Sequence, residues 1–109
     1  MMIDVITFQL PEGMTRGDVI KFYENTTDKW RNINELIRKS YIYDGEARLG
    51  SGIYHWKTVA AADQWHDAEW RKFVKELYGS DPVVRRFEVP IVADNELDQT
   101  ITFSIDEAA

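Results

Sequence analysis

The stretch from Gly50 to Leu77 constrains this chain more than any other. In Gly50-Ser51-Gly52-Ile53-Tyr54-His55-Trp56-Lys57 the residues alternate, with Gly52, Tyr54 and Trp56 on one side and Ile53, His55 and Lys57 on the other. A period of two marks a strand, because successive side chains of extended backbone point to opposite faces. Thr58 offers the side-chain oxygen that an N-cap requires. From Val59 to Leu77 the apolar residues Val59, Ala62, Trp70, Phe73 and Leu77 recur at helical spacing. The reading is a buried strand delivered by two glycines, a one-residue turn, and one long amphipathic helix. Three tryptophans (Trp56, Trp65, Trp70) and both histidines (His55, His66) fall within it.

The remaining elements follow from the same two periods. Met2 to Leu10 reads as a strand stopped by Pro11-Glu12-Gly13. Thr15 and Asp18 form a capping-box pattern ahead of a helix over Arg16 to Trp30, with Val19, Phe22, Tyr23, Thr26, Trp30 and Ile33 along one side. Leu36 to Asp44 is a second strand, with Lys39, Tyr41 and Tyr43 sharing a face, and the polar turn after it is short enough for a hairpin. Gly79 and Pro82 end the second helix. Val83 to Ala93 is a fourth strand, at an edge or bent at Pro90, which has no N–H for a ladder. After the turn Asp94-Asn95-Glu96, Thr100 to Ile105 alternates as a short C-terminal strand.

The order β-α-β-β-α-β predicts a single α+β domain over residues 1–109, a ferredoxin-like antiparallel sheet with both helices on one face. A sheet covered on one side alternates cleanly between apolar and polar residues. These strands instead carry apolar or aromatic residues on both sides, Ile53 against Tyr54 and Trp56, Ile42 against Tyr41 and Tyr43. A partner covering the second face is expected, and an identical chain, giving a homodimer, is the simplest one.

Composition excludes several function classes. A net charge of -6, with basic residues only in pairs interleaved with acids, gives no basic stripe for nucleic acid. With no cysteine there is no disulfide, thiolate nucleophile or sulfur-ligated metal. No basic leader with an apolar run opens the chain, and no apolar run is long enough for a membrane span, so a cytoplasmic protein is expected.

Gly52-Ile53-Tyr54-His55-Trp56, followed by Trp65 and, further on, Phe87-Glu88-Val89-Pro90-Ile91-Val92, resembles the dimeric α+β barrel superfamily of antibiotic-biosynthesis-type monooxygenases. The resemblance extends from Ile3 to Val92. It implies sheets paired face to face in a dimer. It also implies, for many members, oxidation of a small aromatic or polyketide-like substrate by oxygen alone, with no metal or flavin cofactor; other members decarboxylate, isomerise, degrade haem or are not enzymes. Haem-degrading members combine a first-strand asparagine, a second-helix tryptophan and a histidine ten residues beyond it. Trp65 matches the tryptophan, but Lys75 stands where the histidine would be and Ile3 to Leu10 holds no asparagine, so that branch is excluded.

His66 falls in the middle of the apolar helix stripe, where a polar group needs a hydrogen-bond partner such as Tyr23 or Thr26. It is either a core histidine satisfied by one hydroxyl or a pocket general base tuned by burial. Cofactor-free oxygenation needs such a base, donors for the resulting anion and a dry cavity. In that scheme His66 is the base, Tyr23 and Tyr41 the donors, Thr26 a polar lining group, and Trp30, Trp65 and Trp70 the walls. Lys39 is either a surface lysine or an anion-stabilising group. His55 faces a pocket, a dimer seam or solvent. No spaced His, Asp and Glu set suggests a metal, and Asp63, Asp67 and Glu69 read as the solvated helix face. Two other classes stay open, a non-catalytic binder of a hydrophobic small molecule and a structural protein whose aromatics serve only core and interface.

Overall fold

The computed structural model describes residues 1–103. They form an α+β fold of β1 (Met2–Gln9), α1 (Arg16–Arg31), β2 (Leu36–Asp44), β3 (Leu49–Trp56), α2 (Val59–Trp65), α3 (Ala68–Tyr78), β4 (Val83–Glu88), β5 (Ile91–Asp94) and β6 (Gln99–Thr102). β1 to β4 make one antiparallel sheet in the order β2-β3-β1-β4, compatible with a ferredoxin-like fold.

The register explains the core. Met2, Asp4, Ile6 and Phe8 of β1 stand opposite Trp56, Tyr54, Gly52 and Gly50 of β3, so one parity of each strand faces the helices. On that face Ile6, Phe8, Tyr54 and Trp56 pack with Val19 and Trp30 of α1, Ala61 and Ala62 of α2, and Trp70, Val74 and Tyr78 of α3. The three helices therefore lie on one side of the sheet. The expected capping box is present, with Asp18 N–H donating to Thr15 Oγ1 and Thr15 N–H to the Asp18 carboxylate.

The long helix expected from Val59 to Leu77 is two helices. His66 leaves helical backbone (φ -100°, ψ 53°) as the C-cap of α2, and Asp67 restarts the chain as the N-cap of α3, its carboxylate accepting from Trp70 N–H at 2.8 Å. The reason is local, since Asp hydrogen-bonds the backbone more readily as a cap than inside a helix. Asp67, expected on the solvated face of one long helix, is an exposed cap between two. The break also shifts the apolar phase. Trp70, Val74 and Tyr78 face inward, while Phe73, expected in the stripe, is 53% exposed. Gly79, at φ 79°, ends α3 in the left-handed conformation that favours glycine.

The fourth strand expected over Val83 to Ala93 is also divided. β4 stays on the main sheet, whereas β5 turns away after Pro90 and pairs with β6 as a separate hairpin. Phe103 N–H closes that hairpin on the Pro90 carbonyl. The C-terminal strand thus pairs within the chain, and Ser104 and Ile105, expected to continue it, lie outside the described residues.

The opposite sheet face is open. Val5 pairs with Ile53 and Ile3 with Phe87 and His55, so apolar side chains cross three strands on a surface that no helix covers among the described residues, with Phe87 45% exposed. Among the described residues no helix is long and apolar enough to cross a membrane.

Candidate functional site

A cavity of about 200 Å³ lies between α1, α3 and the helix-facing side of the sheet. Tyr23, Thr26 and Trp30 reach it from one face of α1, since residues three and four apart on a helix share a side. Tyr41 and Lys39 enter from β2, two apart on a strand and therefore on one face. Trp70, Val74 and Tyr78 form the α3 wall, and Ile6, Phe8, Gly52 and Tyr54 line it from the central strands.

Gly50 and Gly52 make room for this lining. A Cβ on Gly50 would stand 2.5 Å from the Phe8 ring and 2.8 Å from the Tyr23 hydroxyl. One on Gly52 would stand 2.9 Å from the Tyr54 ring and 3.2 Å from Lys39 Cε. The two glycines thus serve close approach of aromatic rings and a lysine stem to the sheet.

The hydroxyls around the cavity form a directed chain. Thr26 Oγ1 donates to the Tyr23 carbonyl at 2.9 Å, so its single proton is committed and Tyr41 donates to Thr26 at 2.7 Å. Tyr23 donates to the Ile42 carbonyl at 2.7 Å. Burial raises the pKa of Tyr23, Tyr41 and Tyr54, and pushes Tyr78 up to about 12, so these phenols stay protonated at neutral pH.

Lys39 is one of two lysines in the lining, with Lys29. Its Nζ lies 4.0 Å from the Tyr41 ring centroid, 4.6 Å from Tyr54 and 4.8 Å from Trp30. Three aromatic faces hold it by cation–π attraction, which replaces only part of its lost hydration. Among the described residues no carboxylate pairs with it. Burial, and then repulsion from Lys29, bring its pKa down from 10.5 to about 7. Lys39 is half-buried with its Nζ among three rings, so it is not a fully solvated surface lysine.

His66 lies behind this cavity and does not border it. It packs edge-on against Tyr54 (4.3 Å) and Trp56 (5.4 Å) and is tilted against Trp70 at 4.4 Å. Its hydrogen-bond partner is neither Tyr23 nor Thr26. Nδ1 lies 2.7 Å from Asp4 Oδ2, with both side chains fully buried. Arg86 clamps the same carboxylate, Nε on Oδ1 at 2.6 Å and Nη2 on Oδ2 at 3.1 Å, and its Nη1 reaches Asp63. Asp63, expected among solvated carboxylates, is an exposed partner of this cluster.

Burial opposes ionisation of Asp4, but the hydrogen bonds from His66 and Arg86 outweigh it and hold its pKa below 3.8. Burial pushes His66 down despite Asp4. The consistent state is an Asp4 carboxylate accepting from Nδ1–H of a neutral His66, which leaves Nε2 a buried acceptor without a partner. Trp56 Nε1 is a second buried group without one.

The structure therefore brings together Tyr23, Thr26, Trp30, Tyr41 and Trp70, and leaves out two residues expected with them. His66 is one layer behind. Trp65 ends α2, meets Trp30 at 6.4 Å, and lines an outer cleft with Lys29 and Glu69. His55 is on the open sheet face beside Arg38 and Ile3, away from the cavity. Tyr54 and Tyr78 were not picked out from sequence, nor were Asp4 and Arg86. Asp4 carried a signal, since it shares its parity with Met2, Ile6 and Phe8 and so had to be buried. Among the described residues no group of three His, Asp or Glu side chains could hold a metal ion. Chemically, the arrangement sets an amine, Lys39, among aromatic rings and protonated phenols at one cavity.

No family model matches the chain, and no curated protein matches it.

Proposed function

We propose that this chain is a member of the dimeric α+β barrel superfamily that oxidises a small aromatic or polyketide-like phenol with oxygen and no cofactor. The observation that carries the proposal is Lys39, an amine without an acidic partner placed among three aromatic rings in a cavity of about 200 Å³. An apolar cavity of about 150 Å³ takes benzene, so this one suits a single substituted ring. The resemblance around Gly52 to Trp56 and Phe87 to Val92 supports the same reading, as does the apolar open sheet face, which a second copy would cover.

In this mechanism the substrate ring rests against Trp30, Tyr54 and Trp70. Lys39 Nζ, close to half-ionised at neutral pH, accepts the phenolic proton, and the ammonium so formed holds the phenolate. The electron-rich anion reacts with oxygen at the ring CH para to the phenolate oxygen. That carbon becomes a carbonyl, taking one oxygen atom, and the other leaves as water, so four electrons leave the substrate and oxygen accepts four. Among the sequence candidates the proton acceptor thereby moves from His66 to Lys39.

The test is oxygen consumption with a panel of phenols and quinols and no added cofactor. The wild type should consume oxygen with at least one of them. Lys39→Met should lower turnover by about 10²-fold, the lower end for loss of a positioned base. His66→Gln should stay within a few-fold. A His66 variant without turnover alongside an active Lys39→Met would reverse the assignment, and no consumption by the wild type would refute the activity.

A further inference from the structure

The charges around the cavity are one-sided. The chain has 19 Asp and Glu against 13 Lys and Arg, yet among the described residues no carboxylate lines the cavity and two lysines do, Lys29 and Lys39. Lys29 extends from the last turn of α1, and its Nζ lies 4.8 Å from the Trp30 ring centroid, the same distance as that of Lys39. Two ammonium groups attend one indole, so they stand at most twice that distance apart. Among the described residues neither has an ion-pair partner.

We infer that the cavity selects an aromatic carboxylate, its ring beside Trp30 and its anionic group on Lys29 at the mouth, with the ring hydroxyl at Lys39. This rests on the cavity being a ligand site, as proposed above, and not on the oxygen chemistry. Two like charges held near one ring repel each other, and an anionic group on Lys29 relieves that repulsion while gaining the attraction of Lys29. A neutral ligand of the same shape gains neither. The exposed position of Lys29 lets a carboxylate reach it while remaining partly hydrated, which avoids the cost of burying a charge outright. The other titratable groups around Lys39 do not compete for the anion's place. Tyr23 from α1, Tyr41 from β2, Tyr54 from β3 and Tyr78 from α3 are neutral, His66 lies behind Tyr54, and Asp67 and Glu69 line an outer cleft that Lys29 also borders, without an ion pair to it.

The experiment compares matched acid and carboxamide pairs, benzoate with benzamide and 4-hydroxybenzoate with 4-hydroxybenzamide. Binding to the full chain is read by tryptophan fluorescence and calorimetry at low and high salt. Each acid should bind about fivefold more tightly than its amide, the equivalent of about 1 kcal/mol, and the preference should shrink as salt screens it. Lys29→Met should bring the ratio close to one while leaving the amides unaffected. Lys39→Met should weaken 4-hydroxybenzoate and its amide alike and keep a preference for the acid. Equal binding of acid and amide, or a preference that survives Lys29→Met, overturns the inference and leaves the cavity a ligand site. Failure of all four compounds to bind overturns the ligand site, and the inference with it.

Discussion

Lys39 gives the sharpest stability prediction at the scale of single residues. Its folded pKa is about 7 against 10.5 for an ordinary lysine, so the folded state binds fewer protons than the unfolded chain between those values. Burying the ammonium therefore costs stability in full below about pH 7, and the cost fades as pH rises toward 10.5. Lys39→Met, which keeps the length and removes the charge, should be more stable than the wild type below pH 7. The gain should vanish at alkaline pH in thermal melts followed by circular dichroism. Asp4 has the opposite sign. Its folded pKa is depressed below 3.8, so its contribution is present above that value and is lost as pH falls through the folded pKa. Asp4→Asn removes the charge that Arg86 clamps in a fully buried position, and should cost about 3 kcal/mol in urea unfolding at neutral pH. That deficit should narrow as the wild type is acidified below pH 3.8.

At the scale of elements, the break between α2 and α3 decides the site. Periodicity in sequence found both strand faces and the α1 stripe, because Tyr23, Thr26 and Trp30 sit at clean helical spacing and do line the cavity. It failed over Val59 to Leu77, where Ala62, His66, Trp70 and Phe73 fit one continuous helix as well as they fit anything. The competing signal was Asp67, a good cap preceding Ala68, which the apolar pattern overrode. Lys39 was legible as sharing a face with Tyr41, but its burial depends on Trp30 and Tyr54 arriving from other elements, which no local pattern contains. Asp67→Ala should cost about 1 kcal/mol in chemical denaturation, as loss of an N-cap does, and should loosen the α3 wall of the cavity. Faster hydrogen exchange at the Trp70 amide, which the Asp67 carboxylate holds, would register the loosening.

At the scale of the whole molecule, the open sheet face is the surface still to be covered. Val5 against Ile53 and Ile3 against Phe87 form an apolar band across β3, β1 and β4, a poor surface to leave in water. If a second copy covers it, sedimentation velocity should give twice the chain mass of 12.7 kDa. Ile53→Asp should then yield a monomer with an unchanged circular dichroism spectrum, since Ile53 faces away from the helical core. A wild type that stays monomeric at high concentration would sink the dimer. The cavity is on the other side of the sheet, so ligand binding should survive in the monomer.

Gly52 decides which way that cavity can adapt. On the sheet side the void ends at backbone, with Tyr54 and the Lys39 stem crowded over a residue that has no side chain to swing aside. On the opposite side it ends at the Trp70, Val74 and Tyr78 side chains of α3. One boundary is therefore backbone and the other side chains. For a ligand bound as proposed, growth toward the sheet should meet backbone at Gly52 and growth toward α3 should meet side chains, so binding should fall off more abruptly with thickness than with length.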